Sequence, residues 1–285
     1  MERIDLFIAG AQKCGTTSLK NYLGEHPQTY VQFRTEMTYF IKDAEYETGF
    51  DNAYRQYFRG EKPGDSVTVA KYVSMARSQK GLNRLFEHNP DCKIIYMVRE
   101  PVQRSFSSYL MERAIDNETL DFRCAIERAM ADPEHWKFKA YIGNGFYSDD
   151  IKNIIAVFGR DKLKIVVFEE FKSDPRAVLA GIFSWLNIDP EFRPNVGRIH
   201  NKGGAPRSKV LAVLIRYFTR ERSPVKNVLK RILPARFASY IGYYVRQINK
   251  VDSKATLDAD SRHFLSEYYR EKNKELFDLL GREFW

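Results

Sequence analysis

The sequence predicts an α/β fold with three layers, in which a central parallel sheet is flanked by helices. Short apolar runs that fit buried strands alternate along the chain with amphipathic helical patterns. The first apolar run, residues 6–9, leads into a glycine-bounded loop and then into a helix, which is how a β-α-β unit begins. With 285 residues the chain is long enough for such a sheet, and we expect residues 1–285 to form a single domain.

Two more apolar runs extend the predicted sheet. Residues 93–98 precede Pro101, which suits the first turn of a helix, so we predict a helix that begins there. Residues 163–168 stand between a helical pattern around 151–158 and another over 176–186. Strands that alternate with helices in this way are typical of parallel sheets.

Composition narrows the classes of partner and compartment. Lysine and arginine number 46 against 37 acids, a net charge of +9, which favours anionic partners without saying which. No nucleic-acid-binding motif accompanies the charge, so we predict no nucleic-acid partner. The three cysteines are far apart in the sequence, so we predict neither a disulfide framework nor a metal site. Without a secretory signal or an apolar run near the ~20 residues of a membrane span, we expect a cytoplasmic protein.

Residues 206–250 form a basic segment with a single acid, Glu221. Pro224 and Pro234 divide the segment, so we predict several short helices with basic faces. Three interpretations stay open: a cap over the acceptor site, a surface for an anionic membrane, and a solvated helical face.

The loop at residues 10–17 has the features of a phosphate-binding loop. Glycines bound it, and a loop between strand and helix offers backbone N–H groups and the positive end of a helix dipole, as in P-loop folds. It differs from an ATPase loop because Thr16 occupies the lysine position and the lysine stands at Lys13. The second strand ends at Arg99 rather than at an acid for magnesium, which disfavours a P-loop kinase.

This loop and several later segments resemble the sulfotransferases that use 3′-phosphoadenosine 5′-phosphosulfate (PAPS). Residues 11–19 are similar to that family's 5′-phosphosulfate loop, 93–109 to its 3′-phosphate element, and 201–208 to its late nucleotide loop. Segments within 145–186 and the ending at 279–285 also match, so the resemblance spans nearly the whole chain. Within that family, the motifs resemble most those of bacterial and heparan-type sulfotransferases.

The resemblance implies transfer of a sulfuryl group from PAPS to a hydroxyl or amine of a small molecule, lipid or carbohydrate, leaving 3′-phosphoadenosine 5′-phosphate (PAP). A sulfuryl group carries less negative charge than a phosphoryl group, so we expect no metal clamp. A non-catalytic nucleotide-binding or polyanion-binding protein on the same scaffold is the alternative, with a P-loop kinase behind it. The sequence predicts neither the acceptor nor the oligomeric state.

The resemblance also implies roles for individual residues. Lys13 would donate to the bridging oxygen as charge builds on the leaving phosphate. Arg99 and Ser107, eight positions apart, would converge on the 3′-phosphate. The other residues expected to bind the donor are Cys14, Gly15, Thr16, Thr17 and Ser18 in the loop, and Lys202, Gly203 and Gly204 on the other side of the nucleotide, with Arg207 as a weaker candidate.

Attack by a hydroxyl or amine requires a general base. Residues 34–40 are similar to the family's Lys-Glu-x-x-Phe-Phe segment, and Glu36 matches the glutamate that acts as base in heparan-type members. Thr35 stands where that segment usually has lysine, and Lys71 alters the family's Ser-Pro-x-Tyr segment.

Two other assignments of the base stay open. His135 and His200 are alternative bases, although a lone histidine is more often structural. Glu36 could also be a structural carboxylate.

Overall fold

Five parallel strands form the central sheet of the computed structural model, which describes residues 2–115, 117–197, 205–206, 250–251, 256–280 and 285. The strands are β1 (Leu6–Gly10), β2 (Thr29–Val31), β3 (Val67–Lys71), β4 (Lys93–Val98) and β5 (Leu163–Val167). Their order across the sheet is β2-β3-β1-β4-β5, and each neighbouring pair is parallel. The predicted α/β fold with a parallel sheet is therefore confirmed.

The strands that the sequence identified are those with continuous apolar runs. Every residue of β1 is buried, and so are the five residues of β4 after Lys93, because helices cover both faces of a parallel sheet. The apolar pattern of the sequence did not predict β2, which has three residues, or β3, in which Thr68 and Lys71 interrupt the pattern. It also extended β5 by one residue, Phe168, which begins a helix instead.

Twelve α-helices lie in the described parts of the chain. They are α1 (Thr16–Leu23), α2 (Asp43–Tyr46), α3 (Phe50–Tyr57), α4 (Gln79–His88), α5 (Pro101–Ala114), α6 (Phe122–Ala131), α7 (Trp136–Tyr141), α8 (Tyr147–Phe158), α9 (Phe168–Ser173), α10 (Pro175–Leu186), α11 (Ala259–Lys272) and α12 (Lys274–Leu280). Short 3-10 turns lie at Met75–Arg77 and Gly143–Gly145. Pro101 opens α5 as predicted, and the helices expected around 151–158 and 176–186 correspond to α8 and α10.

The chain divides into two units. The first comprises Met1–Pro101, Asn144–His200 and Tyr268–Trp285, and the second Val102–Gly143 and Asn201–Glu267. In the second unit the buried Arg104 donates to the carbonyl groups of Ala140 and Tyr141.

The sheet belongs to the first unit and brings three connecting segments together. β1 is the middle strand, with β3 and β4 on either side. In parallel strands the carboxyl ends share one edge of the sheet, which is where ligands bind in open α/β sheets. The loop after β1, the residues after β3 and Arg99 after β4 all start from this edge.

Among the helices that the structure describes, none combines the length and the apolar character needed to cross a membrane. Most of the basic segment 206–250 lies outside the described residues. Only short antiparallel strands are defined there, β6 (Ala205–Pro206) and β7 (Lys250–Val251).

Candidate active site

Close packing shapes the loop between β1 and α1. A Cβ atom on Gly10 would lie 2.6 Å from the ring of Tyr96, and one on Gly15 would lie 2.8 Å from the ring of Phe168. Gly15 has φ +87°, and Lys13 also takes the left-handed conformation, with φ +70°. This conformation costs a residue with a side chain ~1–2 kcal/mol, and such costs concentrate at functional sites. The surrounding packing therefore fixes the backbone that carries Lys13.

The loop ends at the N-terminus of α1. Gly15 is the N-cap residue and brings no side chain to cap the helix, and the first turn contains no acid. The first N–H groups of a helix have no acceptor within it, and here these belong to Thr16 and Thr17. Together with the positive end of the helix dipole, they make this turn suited to an anionic oxygen. Ser18 follows in the same turn.

Arg99 extends from the end of β4 to this loop. Its Nη1 donates to the carbonyl oxygen of Lys13 at 3.1 Å, and its guanidinium carbon lies 4.6 Å from the ring centroid of Phe168. Burial lowers the pKa of Arg99, although an arginine keeps its charge in proteins. The Nε atom is buried and has no hydrogen-bond partner within the described part of the chain. Arg99 therefore brings positive charge and an unused donor to the loop.

A buried polar network supports the loop at Gln12. The Gln12 side-chain oxygen accepts from the Asn144 amide at 3.0 Å, and Arg77 donates to the side-chain oxygen of Asn144. Arg77 Nε lies 3.1 Å from both carboxylate oxygens of Asp150, which also accepts from the Tyr96 hydroxyl. Burial raises the pKa of Asp150, and the charge of Arg77 acts in the opposite direction. The sequence analysis missed this network because its members lie far apart in the sequence.

Glu36 forms an ion pair at the same edge of the sheet. Its carboxylate accepts from the Lys71 ammonium and from the backbone N–H of Val73, the latter at 2.9 Å. The Lys71 side chain is fully buried, and burial lowers its pKa while the charge of Glu36 raises it. The carbonyl of Val73 lies 3.1 Å from the position of a Cβ on Gly10. The backbone of Val73 therefore links Glu36 to the start of the loop.

A second buried lysine lies beside this pair. Lys20, on the face of α1 that packs inward, donates to the carbonyl oxygens of Gln32 at 3.2 Å and Arg34 at 3.0 Å. Burial, and then the charge of Lys71, lower the pKa of Lys20 to about 8, and the charge of Glu36 acts in the opposite direction. The sequence gave no reason to select Lys20, because a lysine in a helix is usually exposed.

The remaining predicted residues have different surroundings. Cys14 is buried, with its thiol 3.8 Å from the Tyr147 hydroxyl and its N–H donating to the Ala11 carbonyl at 3.3 Å. Ser107 is half-buried on α5 in the second unit. Their contact with the donor stays a prediction.

Among the alternative bases, His135 is exposed and caps α7, where its Nδ1 accepts from the N–H of Lys137 at 3.2 Å. This contact gives His135 a structural role. Other predicted residues lie outside the described ranges: His200, Lys202, Gly203, Gly204 and Arg207. Within the described ranges, no group of three or more His, Cys, Asp and Glu side chains could hold a metal ion.

A glycine-bounded loop at the carboxyl edge of the middle strand, joined by an arginine from the next strand, defines a P-loop-like α/β fold. A model of the sulfotransferase domain matches residues 3–276, so this chain belongs to the sulfotransferase domain family. This match confirms the family predicted from residues 11–19 and the later segments.

Curated relatives are similar to this chain over much of its length. A bifunctional heparan sulfate N-deacetylase/N-sulfotransferase 4 of Mus musculus is 24% identical, over 96% of this chain and 30% of its own length. A heparan sulfate glucosamine 3-O-sulfotransferase 5 of the same species is 25% identical, over 65% of this chain and 54% of its own length. The chain thus spans about 30% of the length of the bifunctional relative and about half that of the 3-O-sulfotransferase.

The fold is also that of a solved sulfotransferase. The crystal structure of a sulfotransferase from Alicyclobacillus acidocaldarius has a TM-score of 0.70 and 22% identity. The match covers 100% of this chain and 98% of the other. The similarity extends over both chains, and it confirms the α/β architecture.

Proposed function

We propose that this chain transfers a sulfuryl group from PAPS to a hydroxyl or amine of an acceptor. The observation that carries the proposal is the loop after β1, where Lys13 is held in a left-handed conformation and its carbonyl binds Arg99. A loop that contains a lysine, binds an arginine and leads into a helix N-terminus without a side-chain cap is suited to the phosphates of a nucleotide donor.

The residues at the loop fit this donor. Thr16 and Thr17 would supply N–H donors to the 5′-phosphate at the start of α1. Arg99, whose buried Nε has no hydrogen-bond partner among the described residues, would hold a second phosphate group. The family resemblance implies that Ser107, Lys202, Gly203 and Gly204 would also bind the donor.

Sulfuryl transfer needs stabilisation of the charge that develops on the leaving phosphate and removal of a proton from the acceptor. As the acceptor oxygen or nitrogen bonds to sulfur, the bond from sulfur to the bridging oxygen breaks and its electron pair goes to the phosphate of PAP. Lys13 would stabilise the charge that develops on that oxygen, an interaction that is strongest in the transition state. Glu36 would take the proton that the acceptor loses.

The names of the relatives and the net charge favour one class of acceptor. The relatives named above are heparan sulfate enzymes, which favours a carbohydrate acceptor over a small molecule or a lipid. The net charge of +9 suits an acceptor that carries negative charge. The basic segment 206–250 is a candidate cap for this acceptor.

A transfer assay tests the proposal. The purified chain is incubated with PAPS labelled in its sulfuryl group and with polysaccharides carrying free amines, N-acetylated counterparts, phenols and a steroid alcohol. We expect label in one class of acceptor, confirmed by mass spectrometry of the product. Binding of PAP without transfer to any acceptor would instead support a non-catalytic nucleotide-binding protein, and magnesium-dependent transfer from ATP would support a kinase.

A further inference from the structure

The segment between β2 and α2 carries Glu36, and it is fixed by polar contacts to β3. The backbone N–H of Gln32 donates to the Val69 carbonyl at 3.1 Å, and the Gln32 side-chain oxygen accepts from the N–H of Lys71 at 2.8 Å. The N–H of Met37 donates to the carbonyl of Lys71 at 2.7 Å. Glu36 therefore stands between two residues that the end of β3 holds in place.

Lys20 connects this segment to α1. Its ammonium donates to the carbonyls of Gln32 and Arg34, and its side chain is almost entirely buried, with 6% of the residue exposed. Burying an ammonium ion is costly, and apolar side chains of similar size often serve stability equally well or better. An apolar side chain could not bind these two carbonyl groups, so the ammonium of Lys20 fixes the backbone at Gln32 and Arg34.

We propose that Lys20 is a positioning residue for Glu36, acting through the carbonyl groups of Gln32 and Arg34. The inference rests on the proposed function, in which Glu36 is the general base. The Arg34 carbonyl lies two residues before Glu36, so an ammonium bound there limits the distance over which the carboxylate moves. Lys20 itself makes no contact with the acceptor.

The hydrogen bonds from Lys20 to the carbonyls of Gln32 and Arg34, called the tether below, depend on pH because of the groups that face Lys20. Of the strands packed against α1, β1 has no titratable side chain, β2 has Tyr30, whose hydroxyl donates to the Gly60 carbonyl, and β3 has Lys71. Glu36 is the acid that acts on Lys20. Burial and Lys71 lower the pKa of Lys20 to about 8, so the tether loses its charge as the pH rises through that value. Hydrogen bonds from charged donors are roughly twice as strong as neutral ones, so the hold on Glu36 weakens there.

Lys20→Met tests the inference, with Lys164→Met as the matched control. Burial and a neighbouring lysine, Lys93, also lower the pKa of Lys164. Lys164 lies on β5, three strands from Lys71, or about 14 Å by the usual strand spacing. In the unmodified chain we expect kcat to decline as the pH rises above 8. We expect Lys20→Met to lower kcat about 10-fold or more, to leave PAP binding, measured by calorimetry, within about 2-fold, and to remove that decline. Lys164→Met should keep both kcat and its pH profile.

A double variant separates positioning from a general loss of structure. If Lys20 acts through Glu36, Lys20→Met should lower kcat no further once Glu36→Gln is present. Equal, additive losses in the two backgrounds would overturn the inference, and so would a Lys20→Met enzyme with normal kcat and an unchanged pH profile.

Hydrogen exchange gives a readout that does not depend on turnover. The backbone N–H of Val73 donates to the Glu36 carboxylate, so its protection reports whether Glu36 stays in place. We expect faster exchange of this amide in Lys20→Met and an unchanged rate in Lys164→Met. Unchanged exchange in both variants would overturn the inference even if no acceptor were found, whereas absence of transfer by the unmodified chain would overturn only the proposed function.

Discussion

Each candidate catalytic residue is bound by a residue from another part of the sequence, Lys13 through its backbone carbonyl and Glu36 through its carboxylate. The Lys13 carbonyl is bound by Arg99, 86 residues later, and Glu36 is bound by Lys71 and Val73. Catalytic groups need such supports, because a side chain that stabilises a transition state must already be in place when the charge develops. The following substitutions test these roles one residue at a time.

Lys13→Ala should lower kcat by about 100-fold or more, since removing one preorganised donor to a developing charge has an effect of this size. PAP binding should change much less, because the charge matters most in the transition state. Steady-state kinetics at saturating PAPS and calorimetry with PAP measure the two effects. Lys80→Ala, which removes a surface lysine paired with Asp43, is the control and should keep both. Collapsed binding with unchanged kcat would make Lys13 a ground-state anchor instead.

Glu36→Gln keeps the shape of the side chain and removes its basicity. We expect kcat to fall by about 100-fold or more, in the range found for general bases, with PAP affinity unchanged. The matched control is Glu45→Gln, because Glu45 is also half-buried and accepts hydrogen bonds from Thr38 and Tyr57. Near-normal turnover of Glu36→Gln at every pH would show that the proton goes elsewhere, and His135 and His200 would be tested next.

Arg99→Ala and Ser107→Ala should weaken the binding of nucleotides that carry a 3′-phosphate. Loss of a hydrogen bond to a charged group costs about 1.5–3 kcal/mol, with the larger loss expected for the arginine. Calorimetry with PAP and with adenosine 5′-phosphate, which lacks the 3′-phosphate, separates this role from general damage. Equal losses for the two nucleotides would contradict the assignment.

At the scale of the element, the turn from β1 to α1 depends on glycine. Gly15 combines φ +87° with the ring of Phe168 at 2.8 Å from the position of a Cβ. Gly60 has a similar φ of +78°, but no atom of the described residues lies within 4 Å of its Cβ position. The two glycines therefore differ in packing rather than in φ.

Gly15→Ala should destabilise the chain by about 1–3 kcal/mol more than Gly60→Ala, since only the former adds a clash to the conformational cost. It should also weaken PAP binding, because the backbone of Gly15 leads directly into the first turn of α1. Urea unfolding and calorimetry on both variants measure these effects. Similar stabilities for the two variants would mean that Phe168 moves aside at little cost.

At the scale of the whole molecule, we expect acid stability to depend on His88, a half-buried histidine at the end of α4. The Nε2 of His88 accepts from the N–H of Ile4 at 3.2 Å, and its ring centroid lies 4.0 Å from that of Phe50. Burial lowers the pKa of His88 from 6.5 to about 4, and the charge of Asp5 acts weakly in the opposite direction.

The unfolded chain therefore binds a proton at His88 more readily than the folded chain. Stability from this group is complete above pH 6.5 and is lost as the pH falls towards 4, by about 2 kcal/mol after allowance for partial exposure. Urea unfolding between pH 7 and 4 measures the loss. His88→Gln, which keeps an acceptor for Ile4 and does not titrate, should reduce this slope. An unchanged slope would assign the acid sensitivity to other groups.

Continuous patterns in the sequence were enough to predict much of the fold and the family. The strands β1, β4 and β5, the loop at residues 10–17 and the family motifs could all be recognised, because each is a continuous run whose apolar spacing or glycine positions are visible locally. Strand β3 was missed for the same reason: Thr68 and Lys71 break its apolar pattern, and only burial by neighbouring elements makes it a strand.

Only the tertiary structure decided which residues hold the candidate site in place. Gln12 reaches Asp150 through Asn144 and Arg77. Lys20 and Lys71 look like ordinary exposed lysines until the sheet buries them beside Glu36. The sequence specifies which charges exist, but their desolvation and their partners depend on segments far apart in the chain that folding brings together. The sequence therefore determined the family and the loop, and the fold decided which charged groups hold that loop and Glu36 in place.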